Sequence, residues 1–374
     1  VNAPALPLIA IDARELRTTT GRYVERLLHY LQRADAPYRY VVLLKPKDMA
    51  GWRPSHPRFA TVACPYREFS FGEQLGLARQ LTRLRPDLVH FPMAQQPLLY
   101  RGAVVTSIMD LTTARFVNPA KNRLVFGVKQ AIYRGLVRRV AARSRRLITL
   151  SDYVKHDLQA FAHMGLDKVT TTYLAADAIA AAPEPVAALA GAPFIMYVGR
   201  PQPHKNLHAL IDAYALARAR LPALRLAIAG SGDVLMDGLQ AYARARGLGD
   251  GVVFTGYVSE GQLRWLYEHT AAYVFPSLSE GFGLPGLEAM VHGAPVVASD
   301  ASCLPEIYGD GAHYFPPRDT AAMAQAILDV VQDPARAAAL VAAGRAVAAR
   351  YSWQRCASQT LAVYDQALRP ARTA

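Results

Sequence analysis

The chain has 374 residues, 42 Lys and Arg against 29 Asp and Glu, a formal net charge of +13, and 52% hydrophobic residues. That length exceeds what one hydrophobic core usually organises, so two domains are expected. No apolar run approaches the roughly 20 residues of a membrane span and no charged-then-apolar leader opens the chain, so a cytoplasmic protein is expected.

Taken in chain order, short apolar strand-like runs alternate with helical patterns in two series, which argues for two parallel-sheet α/β domains. The first series is Leu8 to Ile11, Tyr40 to Leu44, Leu88 to Phe91, Val104 to Ile108, Leu147 to Leu150 and Val169 to Tyr173. The second is Phe194 to Val198, Leu224 to Ala229, Val252 to Phe254, Ala272 to Phe275, Pro295 to Ala298 and His313 to Phe315. Ala178 to Pro193, rich in alanine and proline, reads as a linker. The expected division is therefore a first domain over 1–177, a linker over 178–193, a second domain over 194–351, and a closing segment over 352–374 whose helix runs from Ser352 to Leu368. Cys64, Cys303 and Cys356 are odd in number and outside any zinc spacing, which fits small buried residues in a reducing cytosol.

Charge is unevenly spread. Between Asp110 and Asp152 there is no acid, yet nine cations lie there: Lys121, Arg123, Lys129, Arg134, Arg138, Arg139, Arg143, Arg145 and Arg146. Leu124, Val125, Val128, Ile132, Leu136, Val137 and Val140 recur at three- and four-residue steps, which predicts an amphipathic basic helix from Lys121 to Arg146. Two uses are open to it: a solvated face of a helix packed on a sheet, or contact with an anionic membrane or a pyrophosphate-linked lipid acceptor. Only Phe126 and Tyr133 interleave with the cations, too few stacking aromatics for a nucleic-acid partner.

In the second series, Tyr197-Val198-Gly199-Arg200 ends a strand and Lys205-Asn206 follows. Arg200 offers a planar fork and Lys205 a point charge, either of which could neutralise phosphates or merely solvate a loop. His204 and His208 have helical metal spacing, but Lys205 stands where a zinc protease needs its Glu, so they are read as non-ligands. Gly230-Ser231-Gly232-Asp233 lacks the third glycine of a dinucleotide fingerprint, Leu235 standing in its place. Gly256-Tyr257-Val258 precedes the capping-box sequence Ser259-Glu260-Gly261-Gln262. No Asp-x-Asp occurs, so a metal-chelated diphosphate is not expected.

The most informative block is Ser279-Glu280-Gly281-Phe282-Gly283-Leu284-Pro285-Gly286-Leu287-Glu288-Ala289-Met290. Pro285 suits the first turn of a helix, so Glu280 is placed on a glycine-rich loop and Glu288 on the helix that follows. Gly281 and Gly283 let backbone approach a ligand, the helix start favours an anion such as a diphosphate, and two carboxylates can accept hydrogen bonds from sugar hydroxyls. With Ala294-Pro295-Val296-Val297-Ala298-Ser299 after it, this block resembles the C-terminal signature of family 4 retaining glycosyltransferases of the GT-B fold.

That resemblance implies two Rossmann-like domains facing a cleft, the first reading the acceptor and the second the nucleotide-sugar donor, with the tail helix returning to the first domain. It implies a retaining hexosyltransferase with no cofactor and no metal. Arg200 and Lys205 would stabilise the departing diphosphate, Glu280 would orient the hexose and Glu288 the ribose. Gly199, Gly256, Tyr257, Val258, Gly281, Phe282, Gly283 and Leu284 would contact the nucleotide sugar. In the first domain Thr18-Thr19-Thr20-Gly21 departs from the glycine-richer loop of relatives, leaving Gly21 as the candidate contact or Thr20 as a simple cap. Many relatives carry His before Asp110; Met109, which cannot exchange a proton, stands here, so Asp110 or a main-chain group would take part of that role.

The sequence Glu-Gly-Phe-Gly-Leu-Pro with Leu304-Pro305-Glu306 looks most like mannosyltransferases of bacterial surface polysaccharide synthesis. GDP-mannose is the first donor so implied, a UDP-hexose the second, and a lipid-linked or saccharide chain the acceptor, with the enzyme peripheral on the inner face of the cell membrane. A same-fold epimerase or phosphorylase and a non-catalytic polyanion binder are the rival readings.

Overall fold

The structure is a computed structural model that describes residues 5–16, 21–116, 123–232 and 234–369, with backbone alone for 123–125. Thr18, Thr19, Thr20, Lys121 and Asp233, named above, lie outside the described residues. The elements run β1 (Leu8–Asp12), α1 (Gly21–Leu31), β2 (Arg39–Leu44), β3 (Phe59–Ala63), α2 (Ala78–Leu84), β4 (Leu88–Phe91), β5 (Val104–Ile108), α3 (Thr112–Arg115), α4 (Arg123–Arg143), β6 (Arg146–Thr149), α5 (Asp152–Ala162) and β7 (Val169–Thr171). They continue as β8 (Phe194–Val198), α6 (Leu207–Arg220), β9 (Arg225–Ala229), α7 (Val234–Ala245), β10 (Val252–Gly256), α8 (Glu260–His269), β11 (Ala272–Phe275), α9 (Leu284–Val291), β12 (Val296–Ser299), α10 (Leu304–Tyr308), β13 (Ala312–Phe315), α11 (Thr320–Val331), α12 (Pro334–Ala348) and α13 (Trp353–Leu368).

Two compact units result: residues 1–111, 130–174 and 352–374 in one, residues 112–129 and 175–351 in the other. The first holds a seven-stranded sheet in the order β3-β2-β1-β4-β5-β6-β7, the second a six-stranded sheet in the order β10-β9-β8-β11-β12-β13. Strand pairing is parallel throughout both. Nine of the thirteen strands are buried except at most at one end residue and read as largely apolar runs, and the partly exposed edge strands β7, β10 and β13 also stand out in the sequence. The exception is β3, an edge strand of sequence Phe-Ala-Thr-Val-Ala whose residues after Phe59 are at least partly exposed.

Each sheet reverses its strand order once, between β1 and β4 in the first unit and between β8 and β11 in the second. Loops leaving the carboxyl ends of those strand pairs bound a crevice, the usual place for a ligand on a parallel sheet.

The unit boundaries depart from the sequence division at two places. Residues 112–129 group with the second unit although they were expected inside 1–177, and the linker of 178–193 is part of that unit too. Hydrogen bonds to main-chain carbonyls explain the latter: Glu184 N–H donates to Gly261 O at 3.0 Å, and the Arg264 side chain donates through Nη1 to Ala181 O at 3.1 Å. In the first unit α13 packs on α1 and the β4–β6 strands. His90 lies fully buried on β4 with Nδ1 2.7 Å from Tyr364 Oη of α13 and Nε2 2.9 Å from Ser107 Oγ of β5, which is 3.0 Å from Tyr23 Oη of α1. Burial pushes the His90 imidazole down to about 3, so it is neutral in the folded chain.

The basic segment also differs from its expected form. The helix is Arg123–Arg143, and Arg146 opens β6 instead of continuing it. Its buried face is Val137, Val140 and Ala141, whereas Val128 and Ile132, assigned to the apolar face by spacing, are 63% and 61% exposed. Steps of three and four drift around a helix when every such residue is counted, so the apolar residues here do not form one stripe. Four of the cations are engaged with main-chain oxygens: Arg138 with Phe161, Arg143 with Pro97 and Leu98, Arg145 with Ala367 and Arg146 with Asp167.

Candidate active site

The second unit's switch point is built from two loops. After β8 the chain turns through Gly199, whose φ of +144° disfavours a side chain, to exposed Arg200. A short 3₁₀ turn, Pro203–Lys205, follows, and Asn206 in the left-handed conformation (φ 59°) separates it from α6. Asn tolerates that geometry better than most residues, and its Nδ2 donates to Pro276 O at 3.2 Å and Pro317 O at 2.7 Å. Leu278 N–H donates to His204 O at 2.7 Å. These bonds tie the loop after β8 to the loop after β11. His204 and His208 fall on opposite sides of the Asn206 break, so their helical spacing is not realised.

This clamp brings Lys205 Nζ to 2.6 Å from Glu280 Oε1, with the two side chains 19% and 12% exposed. Lys205 also lies over the Phe275 ring at 5.6 Å. Its ammonium has three donors, so Glu280 leaves it able to meet an anion. The backbone of Glu280 is held on both sides: its N–H donates to Ser302 Oγ at 2.9 Å, and Cys303 Sγ donates to its carbonyl at 3.4 Å. Ser302 adopts φ +55°, a left-handed conformation rare outside glycine that aims its hydroxyl at this peptide.

Downstream, Gly283 (φ +85°) caps α9, with Pro285 in the first turn as the sequence predicts. Tyr308 of α10 packs against Gly283 and Gly286 so closely that a side chain at either would overlap its hydroxyl, which donates to Gly283 O. Burial first, and the Glu280 charge second, hold the Tyr308 and Tyr197 phenols protonated well above their ordinary value. Glu288 is 8% exposed and accepts a hydrogen bond from Tyr267 Oη at 3.3 Å.

Arg200, Lys205, Gly199, Glu280, Gly281 and Gly283 thus share the β8/β11 switch point. Leu284 opens α9 half-buried, while the Phe282 ring is buried edge-on against Tyr351, so only its main chain is available to a ligand. At the end of β10, beside β9, Gly256 has φ +69° and Tyr257 is 84% exposed, with Val258 half-buried next to it. Asn206, Ser302 and Tyr308 were not singled out by the sequence reading. Their signals were slight: an Asn after Lys205, a Ser just before Leu304-Pro305, and a Tyr three residues beyond that proline.

Gly21 and Asp110 belong to the first unit. Gly21 opens α1 against the Glu15 and Leu16 carbonyls, with no room for a side chain. Asp110, half-buried beside Met109 past the end of β5, adds to the burial that raises the Tyr133 phenol. The β1/β4 switch point of this unit holds a small cavity lined by Asp12, Glu15, Glu68 and Gln95 among others. Among the described residues no group of three His, Cys, Asp or Glu could hold a metal ion, and no helix is long and apolar enough to cross a membrane.

Two parallel α/β units, the second with a cation–carboxylate pair and a glycine loop at its switch point, define a GT-B glycosyltransferase. Residues 181–347 match the family described as Glycosyl transferases group 1. The chain is 34% identical over 235 residues to O-antigen chain mannosyltransferase B of Escherichia coli, an alignment that covers 59% of this chain and 60% of that relative's length. It is 30% identical to a glycogen synthase of Mycobacterium tuberculosis over 94% of this chain and 92% of that one. Its fold matches sucrose-phosphate synthase from Thermosynechococcus elongatus with a TM-score of 0.77 at 19% identity, covering 96% and 98% of the two chains. The chain belongs to the group 1 glycosyl transferases.

Proposed function

We propose that the chain transfers mannose from GDP-mannose, with retention at the anomeric carbon, to a lipid-linked or polysaccharide acceptor, working at the inner face of the cell membrane. The observation that carries this is the Lys205–Glu280 pair at 2.6 Å, fixed beside Arg200 and the Gly281–Gly283 loop. Arg200 and Lys205 neutralise the diphosphate as charge grows on it, so neither a metal nor another cofactor is needed. Glu280 accepts from hexose hydroxyls and Glu288 from the ribose. As the glycosidic bond breaks, a diphosphate oxygen takes the acceptor proton on the same face of the sugar. Asp110 takes part of the role of the histidine that Met109 cannot replace.

The mannosyltransferase relative supports mannose as the sugar transferred. The glycogen synthase relative covers more of the chain and leaves the hexose open, so a UDP-hexose is kept as the second reading. Turnover with GDP-, UDP- and TDP-sugars, chelator present, tests both. Selective use of GDP-mannose with an α-linked product is expected. Turnover restored only by manganese would overturn the metal-independent step, and donor turnover without acceptor would make the protein an epimerase or phosphorylase instead.

A further inference from the structure

We infer that the turn at Arg67 to Ser70 and the first helical residues after it, Phe71 to Leu75, with Leu99 beside them, form a wedge that inserts into an anionic bilayer surface. Phe69, Phe71, Leu75 and Leu99 are 60%, 88%, 46% and 58% exposed, four of the nine large apolar side chains exposed among the described residues. Gln74 brings them together, its Nε2 donating to Gln96 O at 3.2 Å and its Oε1 accepting from Leu98 N–H at 2.8 Å. Arg143 of α4 reaches the same loop through Pro97 O and Leu98 O, both at 3.3 Å.

The turn is held from beneath. Glu73, 1% exposed, accepts from Arg14 Nη2 at 2.8 Å and from Phe69 N–H at 2.9 Å, and Arg14 Nη1 donates to Tyr66 O at 3.1 Å. Ser70 Oγ accepts from Glu73 N–H at 3.1 Å and donates to Arg67 O at 2.6 Å. Phe69 is kept at φ +57°, a strained geometry for an aromatic residue. A strained turn pinned to a buried ion cluster, presenting two phenyl rings to water, has no account inside the fold.

Charge selects the occupant. Both acids of the segment are engaged, Glu73 with Arg14 and Glu68 with Lys45 at 2.9 Å. The cations nearest the wedge in sequence, Arg67, Arg79, Arg83 and Arg101, are exposed. Protruding aromatics among cations of one sign fit a diffuse anionic interface, where rings sink to the acyl boundary and arginines stay with the headgroups. The purpose of this docking rests on the membrane-borne acceptor proposed above, but the binding itself needs neither donor nor acceptor.

Vesicle sedimentation of the full chain tests it, comparing phosphatidylcholine with a phosphatidylcholine–phosphatidylglycerol mixture at low and high salt. Binding confined to the anionic vesicles and weakened by salt is expected, with a loss of about tenfold or more in Phe71→Ser/Leu75→Ser. In a second variant, Phe71→Trp, indole emission should shift to the blue on anionic vesicles and be quenched by brominated lipid. Equal binding to both vesicle types, unchanged binding of the double variant, or an indole that stays in water would overturn the wedge; the last would point to a protein partner. Failure of sugar transfer with vesicle binding intact would instead fault the proposed reaction.

Discussion

The two switch points treat charge in opposite ways. At the end of β1, Arg14 is 2% exposed and spends its guanidinium on Asp12, Glu73 and the Tyr66 carbonyl. At the end of β8, Arg200 stands in solvent and Lys205 holds one carboxylate at the rim of a glycine loop. A cation enclosed by its own partners has no capacity left for a ligand, and its removal strands buried charge. A cation with a single partner at a partly open site retains donors for an incoming anion. Similar topology thus gives a structural cluster in one unit and a candidate binding site in the other.

This contrast can be broken first at Arg14. Arg14→Met should lower stability by about 3–5 kcal/mol in urea unfolding, because two buried carboxylates lose their partner. Removing all three charges, as Asp12→Asn/Arg14→Met/Glu73→Gln, should cost less than removing Arg14 alone. Lys205→Ala and Glu280→Ala should instead keep the melting temperature close to that of wild type, yet lose about 2.7–4 kcal/mol of transition-state stabilisation, a hundredfold or more in turnover.

Smaller effects sharpen the comparison. Ser302→Ala removes the bond to the Glu280 amide and should cost about 1 kcal/mol in kcat/KM. Ser302→Asn, which tolerates the left-handed backbone and offers an acceptor, should recover part of it; equal losses in both would make Ser302 a packing residue. In the first unit, His90 is neutral when folded and titrates near its ordinary value when unfolded, so the unfolded chain binds more protons below about pH 6. Stability should therefore fall on acidification by about 1 kcal/mol per pH unit, and His90→Gln should flatten that slope. Urea midpoints between pH 6.5 and 4.5 would check it.

Most of the fold was legible because buried parallel strands write themselves as apolar runs. Two features escaped: β3, an edge strand whose alanines give little strand signal and whose residues after Phe59 are at least partly exposed, and the buried face of α4, a helix that carries apolar residues all round. At the candidate site, Glu280 and Glu288 were singled out by residue type and the glycine loop between them, and Arg200 and Lys205 by the family resemblance. The groups that hold them were not, since Asn206, Ser302 and Tyr308 act through hydrogen bonds to residues 22 to 111 positions away. Nor could spacing show that Phe282 faces Tyr351 or that Lys205 meets Glu280 directly.

Calorimetric titration of GDP and GDP-mannose into wild type, Lys205→Ala and Arg14→Met, with chelator present, tests the central claim most directly. If the β8/β11 switch point is the donor site, wild type and folded Arg14→Met bind alike, and Lys205→Ala binds about tenfold more weakly or worse, a loss of at least about 1.4 kcal/mol. Equal affinity of Lys205→Ala and wild type for the nucleotide would contradict the account and leave the Lys205–Glu280 pair as a structural ion pair.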